Sequence, residues 1–332
     1  MRWASKVMRR HMYAYALSGL LLLGGALLAV AQNSQPDEAQ TEQAKQTQER
    51  SEQFQAKVHQ ATRALESDPR LQKLTQQQRK DLVEFVTGNM LFALLHELGH
   101  AQIAEMGLLV LGREEDAADS YAVTAMLNVG TNISDRVLIQ ATRGWFLVAE
   151  RRRKEGRPLP FYDQHGMDSQ RAYQIVCLMV GSDPEKFAAV ATQVRMPKER
   201  QDSCSNDYLT AAMSWEKALR PHLRLPTQPR QKIEVSYGPV GDYAVYAQAL
   251  GTIGVVELVA DYAANRFTWR RPITFDVKSC GEVTFHWDIS IPEVLICYEM
   301  AADFAHLYRD YVLFKGDRGK GSDDRGVHRQ VR

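Results

Sequence analysis

The segment 94–107, LLHELGHAQIAEMG, constrains this chain most, because it places three ionisable side chains inside a run of apolar residues. The apolar pattern predicts one long helix over about 76–106. On such a helix His96 and His100 lie one turn apart, so both rings can direct a nitrogen at one point. Burying them with Glu97 would cost several kcal/mol unless a partner is present. A metal ion is such a partner, and H-E-x-x-H is typical of zinc sites with two histidine ligands and a glutamate general base.

A catalytic zinc ion usually has a third protein ligand. A second helix, predicted to begin near residue 113, carries Glu115 and Asp119 one turn apart. Glu115 is the preferred third ligand because a short loop closes it onto the first helix at little entropic cost. Asp119 can then accept the free ring N–H of a ligand histidine. Glu299 stands in the same E-x-x-A-D spacing and is the alternative ligand, and the acids beside Glu115 leave the register open by one position.

The pattern of apolar residues changes along the chain. Helical patterns dominate up to about residue 225, including a helix that begins at Pro184 with Asp183 as its N-cap. After several prolines, short alternating segments predict strands, a helix over about 253–264 and a last helix over about 298–311. The predicted strands are 232–236, 273–277, 283–287 and 294–296. We therefore predict the α+β class: a predominantly helical domain with a small β-sheet supplied mainly by the C-terminal part, which packs back on the metal helix.

The two ends of the chain differ from its middle. Residues 1–31 have the layout of a secretory signal peptide, with basic residues before an apolar run that ends in Ala-Val-Ala. An uncleaved membrane anchor is the alternative, because the run is about as long as a spanning helix. Residues 32–56 are polar and rich in glutamine, which predicts a tether, with order beginning between Phe54 and Leu71. The ordered domain is predicted to span 57–315, followed by a disordered tail over 316–332.

Export gives the four cysteines a meaning, since disulfides form in oxidising compartments. Three pairings are possible, and we expect Cys177 with Cys204 and Cys280 with Cys297, because neighbours in sequence close short loops. We expect a periplasmic or secreted protein, tethered to the inner membrane if the N-terminal segment is retained. The formal net charge of +1 gives no indication of a nucleic-acid partner.

Segments 89–101 and 111–119 together resemble the DUF4344 family of metallopeptidases, zincins of the gluzincin type. Residues 162–171, 177–184 and the surroundings of the last two cysteines resemble it as well, so the resemblance covers roughly residues 80–311. It implies a zincin-like metallopeptidase domain with one bound zinc ion and a peptide or protein substrate, whose sequence it does not specify. The implied residues are His96, His100 and Glu115 as zinc ligands, Glu97 as general base and Asp119 as partner of a ligand histidine.

Peptide hydrolysis also needs a donor for the developing oxyanion. His165, Tyr162 and Tyr121 are the candidates, and His165 is the first to test. Two other functions stay open. The polar tether and the lack of a recognisable specificity pocket are compatible with a non-catalytic, zinc-bearing scaffold or binding protein of the envelope. An amidase acting on cell-wall peptides would use the same chemistry as a peptidase.

Overall fold

The structure is mainly helical, and the long helix that carries His96 and His100 spans the predicted residues. The computed structural model describes residues 38–231 and 233–318, so the predicted signal peptide, residue 232 and most of the predicted tail lie outside the described residues. From Lys45 onward the described residues belong to one compact unit, and the described part before it, 38–44, is helical. The helices are α1 (Glu38–Ala64), α2 (Gln76–Met106), α3 (Glu114–Val129), α4 (Asn132–Lys154), α5 (Asp168–Ser182), α6 (Pro184–Gln193), α7 (Lys198–Leu219), α8 (Ala244–Ile253), α9 (Val255–Arg266) and α10 (Tyr298–Arg318).

The first helix begins earlier than the sequence analysis predicted. Order was expected to start between Phe54 and Leu71, whereas α1 begins at Glu38. Glutamine, glutamate, lysine and alanine all have high helix propensity, so this polar segment can be helical without a buried face. Complete burial of apolar side chains in α1 occurs further along, at Val58 and Ala61.

Helix α2 has well-defined ends. Thr75 caps its first turn in a capping box with Gln78, and Gly107 ends it in the left-handed conformation that glycine adopts without strain. Asp183 caps α6 at Pro184, as predicted. The helix expected over 253–264 is α9, whereas α8, which ends where Gly254 takes a positive φ, was not predicted.

A four-stranded sheet lies in the C-terminal part, and the predicted α+β class is confirmed. Its strands are β1 (Ile233–Tyr237), β2 (Ile273–Lys278), β3 (Phe285–Asp288) and β4 (Glu293–Cys297). The order is β1-β2-β4-β3, in which β1, β2 and β4 are parallel and the edge strand β3 is antiparallel to β4. Side chains alternate between buried and half-buried along β2, so one face of the sheet joins the helical core.

Both disulfides form in the pairing that the sequence analysis expected. Cys177–Cys204 joins α5 to α7, and Cys280–Cys297 joins the loop after β2 to the end of β4. Within the described residues, no single helix is long and apolar enough to cross a membrane, and one bent pair, Gly241–Ile253 with Val255–Arg266, meets the length and composition criteria together.

Helix α4 packs directly on α2, on the N-terminal side of His96. A β-carbon at Gly88 would lie 2.3 Å from the carbonyl oxygen of Val137 in α4. That separation is far below van der Waals contact, and the obstacle is backbone, so it cannot rotate away. The absence of a side chain at Gly88 therefore sets how closely the two helices approach.

We expect Gly88→Ala to lower the free energy of unfolding by about 1–3 kcal/mol, because α4 must move outward to make room. Gly251→Ala is the matched control, since a β-carbon at this helical position in α8 meets nothing within 4 Å. It should leave stability unchanged or raise it by up to about 1 kcal/mol through helix propensity. Urea unfolding followed by circular dichroism measures both, and equal losses in the two variants would contradict the packing argument.

Candidate metal centre

Helix α2 carries the central residues of the site. His96 and Glu97 are buried, and His100 is half-buried at the next turn. Leu94 and Leu98, both fully buried, fix this part of α2 in the core. The helix therefore presents both imidazoles and one carboxylate from a rigid backbone, in a region with little access to water.

Helix α3 approaches α2 closely enough to complete the site. A β-carbon at Gly99 would lie 3.1 Å from the Cα atom of Ala118, so the two helices meet almost backbone to backbone. Gly99 is the glycine of the H-E-L-G-H sequence. This contact places Glu115 and Asp119, one turn apart on α3, opposite the two histidines.

Three donor atoms converge in front of the histidines. His96 Nε2 lies 3.1 Å from Glu115 Oε2 and 3.1 Å from His100 Nε2, and His100 Nε2 lies 3.4 Å from the same glutamate oxygen. A tetrahedral ion with ligands at 2.0–2.1 Å separates its donors by about 3.3 Å. His96, His100 and Glu115 thus fit the geometry and the chemistry of a metal centre with three protein ligands.

The outer nitrogens of both histidines are also engaged. His96 Nδ1 lies 2.8 Å from Asp119 Oδ1, and His100 Nδ1 lies 2.7 Å from Glu114 Oε1. A carboxylate on the outer nitrogen fixes the tautomer and the ring orientation and makes the inner nitrogen a better ligand. Asp119 thus occupies the position that the sequence analysis assigned to it.

The charges of these groups are strongly coupled. Burial alone would lower the pKa of His96, but hydrogen bonds to Asp119 and Glu115 outweigh burial and raise the pKa to about 9. Burial would raise the pKa of Asp119, yet Arg171 and His96 lower it to about 2. Hydrogen bonds, led by the one from His100, hold the pKa of Glu115 well below its usual range against the opposing effect of burial. The carboxylates of Glu115 and Asp119 thus pair with the histidines and with Arg171. A metal cation would displace the protons from the ligand nitrogens of His96 and His100 on binding.

Glu97, between the two histidines in sequence, is hydrogen-bonded to the sheet. Its Oε2 accepts the backbone N–H of Trp287 in the edge strand β3, at 2.9 Å. The sheet thus fixes the carboxylate that the sequence analysis assigned as general base.

The structure also places the alternatives. Glu299 lies elsewhere, where its carboxylate accepts hydrogen bonds from Ser279 and from the backbone N–H groups of Cys280 and Gly281. Cys280 and Cys297 lie beside Glu299. Because they form a disulfide with each other, they offer no thiolate to a metal ion. Tyr121 is buried between α2 and α3 with its hydroxyl bonded to Gln102, which removes it from contact with a substrate.

The candidates on the loop between α4 and α5 differ from each other. His165 Nε2 lies 2.8 Å from Glu115 Oε2, so this histidine reaches the metal centre while its side chain stays 42% exposed. Tyr162, on the same loop, projects into solvent. Of the three candidate oxyanion donors, His165 is therefore the one that the fold brings to the site.

Two contributors were not found from the sequence. Arg171 makes a bidentate ion pair with Asp119. Trp287 donates its backbone N–H to Glu97. Arg171 lies within the segment 162–171 that resembles the family, which was the one indication available. A backbone donor leaves no trace in residue type, so nothing could have indicated Trp287.

Comparison with known families agrees with this site. Residues 48–219, just over half of the chain, match the model of the DUF4344 family, described as "Putative metallopeptidase". The chain belongs to this family. No curated protein and no solved structure matches it. The DUF4344 match contains α2, α3 and the loop that carries His165, and it ends before the sheet, so the resemblance noted around Cys280 and Cys297 lies outside the matched residues.

We expect Glu115→Ala to lose tightly bound metal, because two histidines remain as the only ligands of the converging set. Elemental analysis after dialysis measures the metal content. Asp116→Asn is the matched control, since this neighbouring acid is exposed and paired with Arg113, and it should keep the metal. Glu299→Gln should keep it too, whereas loss of metal from Glu299→Gln together with retention in Glu115→Ala would reverse the ligand assignment.

Proposed function

We propose that the protein is an exported, zinc-dependent metallopeptidase of the gluzincin type. The observation that carries this proposal is the convergence of His96, His100 and Glu115 within 4.8 Å of one another, with Glu97 held beside them by the sheet. Two histidines and one carboxylate form the ligand set of several zinc peptidases. The family description supports the reaction class, and the ligand set supports zinc.

Zinc, when bound, supplies Lewis acidity towards a peptide carbonyl and towards water. The chain supplies the proton transfers. Glu97 Oε2 is engaged by the N–H of Trp287, which leaves the second carboxylate oxygen to take a proton from the attacking water. The same carboxyl group then delivers that proton to the leaving amine, so Glu97 serves first as base and then as acid.

His165 is the proposed donor for the developing oxyanion. Its Nε2 is directed into the centre, 2.8 Å from Glu115 Oε2, and its Nδ1 lies 3.2 Å from Asp163 Oδ1. An N–H on Nε2 would be the donor to the oxyanion. The loop position also allows His165 to adjust when a substrate enters.

A peptide or protein is the proposed substrate. The edge strand β3 runs past Glu97 with the Trp287 N–H facing the site rather than β4, and extended peptides commonly align along such edges. Exposed apolar side chains stand on the loops that lead into the site: Leu109 and Leu111 before α3, and Phe161 and Tyr162 before His165. Clusters of exposed apolar residues favour contact with apolar substrate side chains.

Export is part of the same proposal. The two disulfides are consistent with folding in an oxidising compartment, and the segment 1–31 has the composition of a signal peptide. We infer a periplasmic or secreted location, with attachment to the inner membrane if that segment is not cleaved. No nucleic-acid partner is proposed.

Glu97→Gln should keep zinc and lower the rate of peptide hydrolysis at least about 100-fold, because the amide cannot take a proton from water. Zinc content and cleavage of a mixed peptide library, followed by mass spectrometry, measure the two properties. Equal hydrolysis by Glu97→Gln would refute the assignment of the base. If the wild type holds zinc yet cleaves nothing, and Glu97→Gln matches it in every phenotype, the scaffold function is favoured instead.

His165→Ala should lower kcat about 100- to 1,000-fold while zinc stays bound, because removal of one oxyanion donor has an effect of this size. The control is His59→Ala, an exposed histidine on α1, which should leave kcat unchanged. Steady-state kinetics on a peptide found in the library screen measure both. A variant with unchanged kcat would remove His165 from the mechanism.

A further inference from the structure

Arg171 is a buried cation that the proposed mechanism does not use. Only 8% of its side-chain surface is exposed, and its Nε and Nη2 atoms donate to the two carboxylate oxygens of Asp119 at 2.7 and 2.6 Å. Its guanidinium also lies 3.7 Å from the centre of the Trp145 ring. A buried arginine held by a bidentate ion pair and by an aromatic ring has a single orientation, and so does the carboxylate that it binds.

One oxygen of Asp119 connects Arg171 to the candidate metal ligand His96. Asp119 Oδ1 accepts both from Arg171 Nη2, at 2.6 Å, and from His96 Nδ1, at 2.8 Å. Without Arg171, the Asp119 carboxylate would keep the imidazole as its partner but could rotate about its own side-chain bonds. The direction of His96 Nε2 depends on that carboxylate, so it depends on Arg171 as well.

Arg171 also lies next to the end of the loop that carries His165. Arg171 lies in the first turn of α5, and its backbone N–H bonds to the carbonyl of Met167. A β-carbon at Gly166 would lie 3.6 Å from Arg171 Cγ, which is ordinary contact distance. Arg171 thus stands between the metal ligand His96 on one side and the end of the His165 loop on the other.

We propose that Arg171 is a positioning residue of the metal centre: it holds Asp119, and through Asp119 it holds the ring of His96 in the orientation that a metal ion requires. The inference rests on the proposed function, since it takes His96 as a ligand. It goes beyond that function by placing a determinant of metal affinity on α5, outside the two helices that supply the ligands.

Charge alone predicts the opposite effect. Arg171 is positive and lies one residue away from the ligand set, so its removal would make the centre more negative and a divalent cation would bind more tightly. Positioning predicts weaker binding, because an unconstrained Asp119 lets the ring of His96 turn. The sign of the change in zinc affinity therefore separates the two effects.

Two variants of the full chain test this. Arg171→Met removes both the charge and the planar guanidinium. Arg171→Lys keeps the charge but loses the planar guanidinium that donates to both carboxylate oxygens. The control is Arg151→Met. Arg151 also makes a bidentate ion pair, with Asp303 at 2.7 and 2.9 Å, but this pair joins α4 to α10 and contains none of the candidate ligands. Each protein is titrated with zinc against a chromophoric chelator, and the visible spectrum of its cobalt form reports ligand geometry.

We expect Arg171→Met to bind zinc about 10- to 100-fold more weakly, Arg171→Lys to be weakened as well, and both cobalt spectra to change. Arg151→Met should match the wild type in affinity and spectrum. Thermal unfolding checks that each variant is folded, and Arg171→Lys carries the test if Arg171→Met does not fold. Equal or tighter zinc binding by a folded Arg171 variant overturns the inference while the proposed function stands. A wild type that binds no zinc overturns the proposed function itself, and the inference with it.

Discussion

The close contact of α2 with α3 at Gly99 is the interaction on which the metal centre depends. A methyl group there would press on the backbone of Ala118, so the spacing of the two helices is set by the absence of a side chain. The connecting loop has only seven residues, 107–113. Because the spacing of the helices and the length of the loop are both fixed, Glu115 faces the histidines. The polar groups then satisfy one another, and the free-energy cost of burying them falls.

The C-terminal sheet imposes a second constraint, on Glu97 rather than on the ligands. Arg271 bonds to Glu105 near the end of α2 and to the carbonyl of Ile289 after β3, and this clamp keeps the edge strand beside the metal helix. Trp287 can then donate to Glu97. The converging donors come from the part of the chain that matches the family, whereas the contact that orients Glu97 comes from residues beyond that match. Binding of metal and orientation of the base therefore rely on different segments.

Much of the fold could be predicted because it is encoded locally. The limits of α2, the cap of α6, the positions of the four strands and both disulfides follow from periodicity, capping residues and short loops. The errors have local causes as well. In α1, helix propensity acts on a segment whose polarity indicated a tether. Helix α8, which Gly254 ends with a positive φ, was not predicted.

The site was predictable only where sequence spacing fixes geometry. His96 and His100 converge because they are one turn apart, but Arg171 reaches Asp119 across 52 residues of chain, and no local rule brings them together. Glu115 and Glu299 show the limit most clearly, since both stand in the same E-x-x-A-D spacing. The carboxylate of Glu299 is taken by N–H groups at 280 and 281, whereas a short loop directs Glu115 onto the histidines. The motif could not separate these two acids, and the low entropy of closing a short loop could.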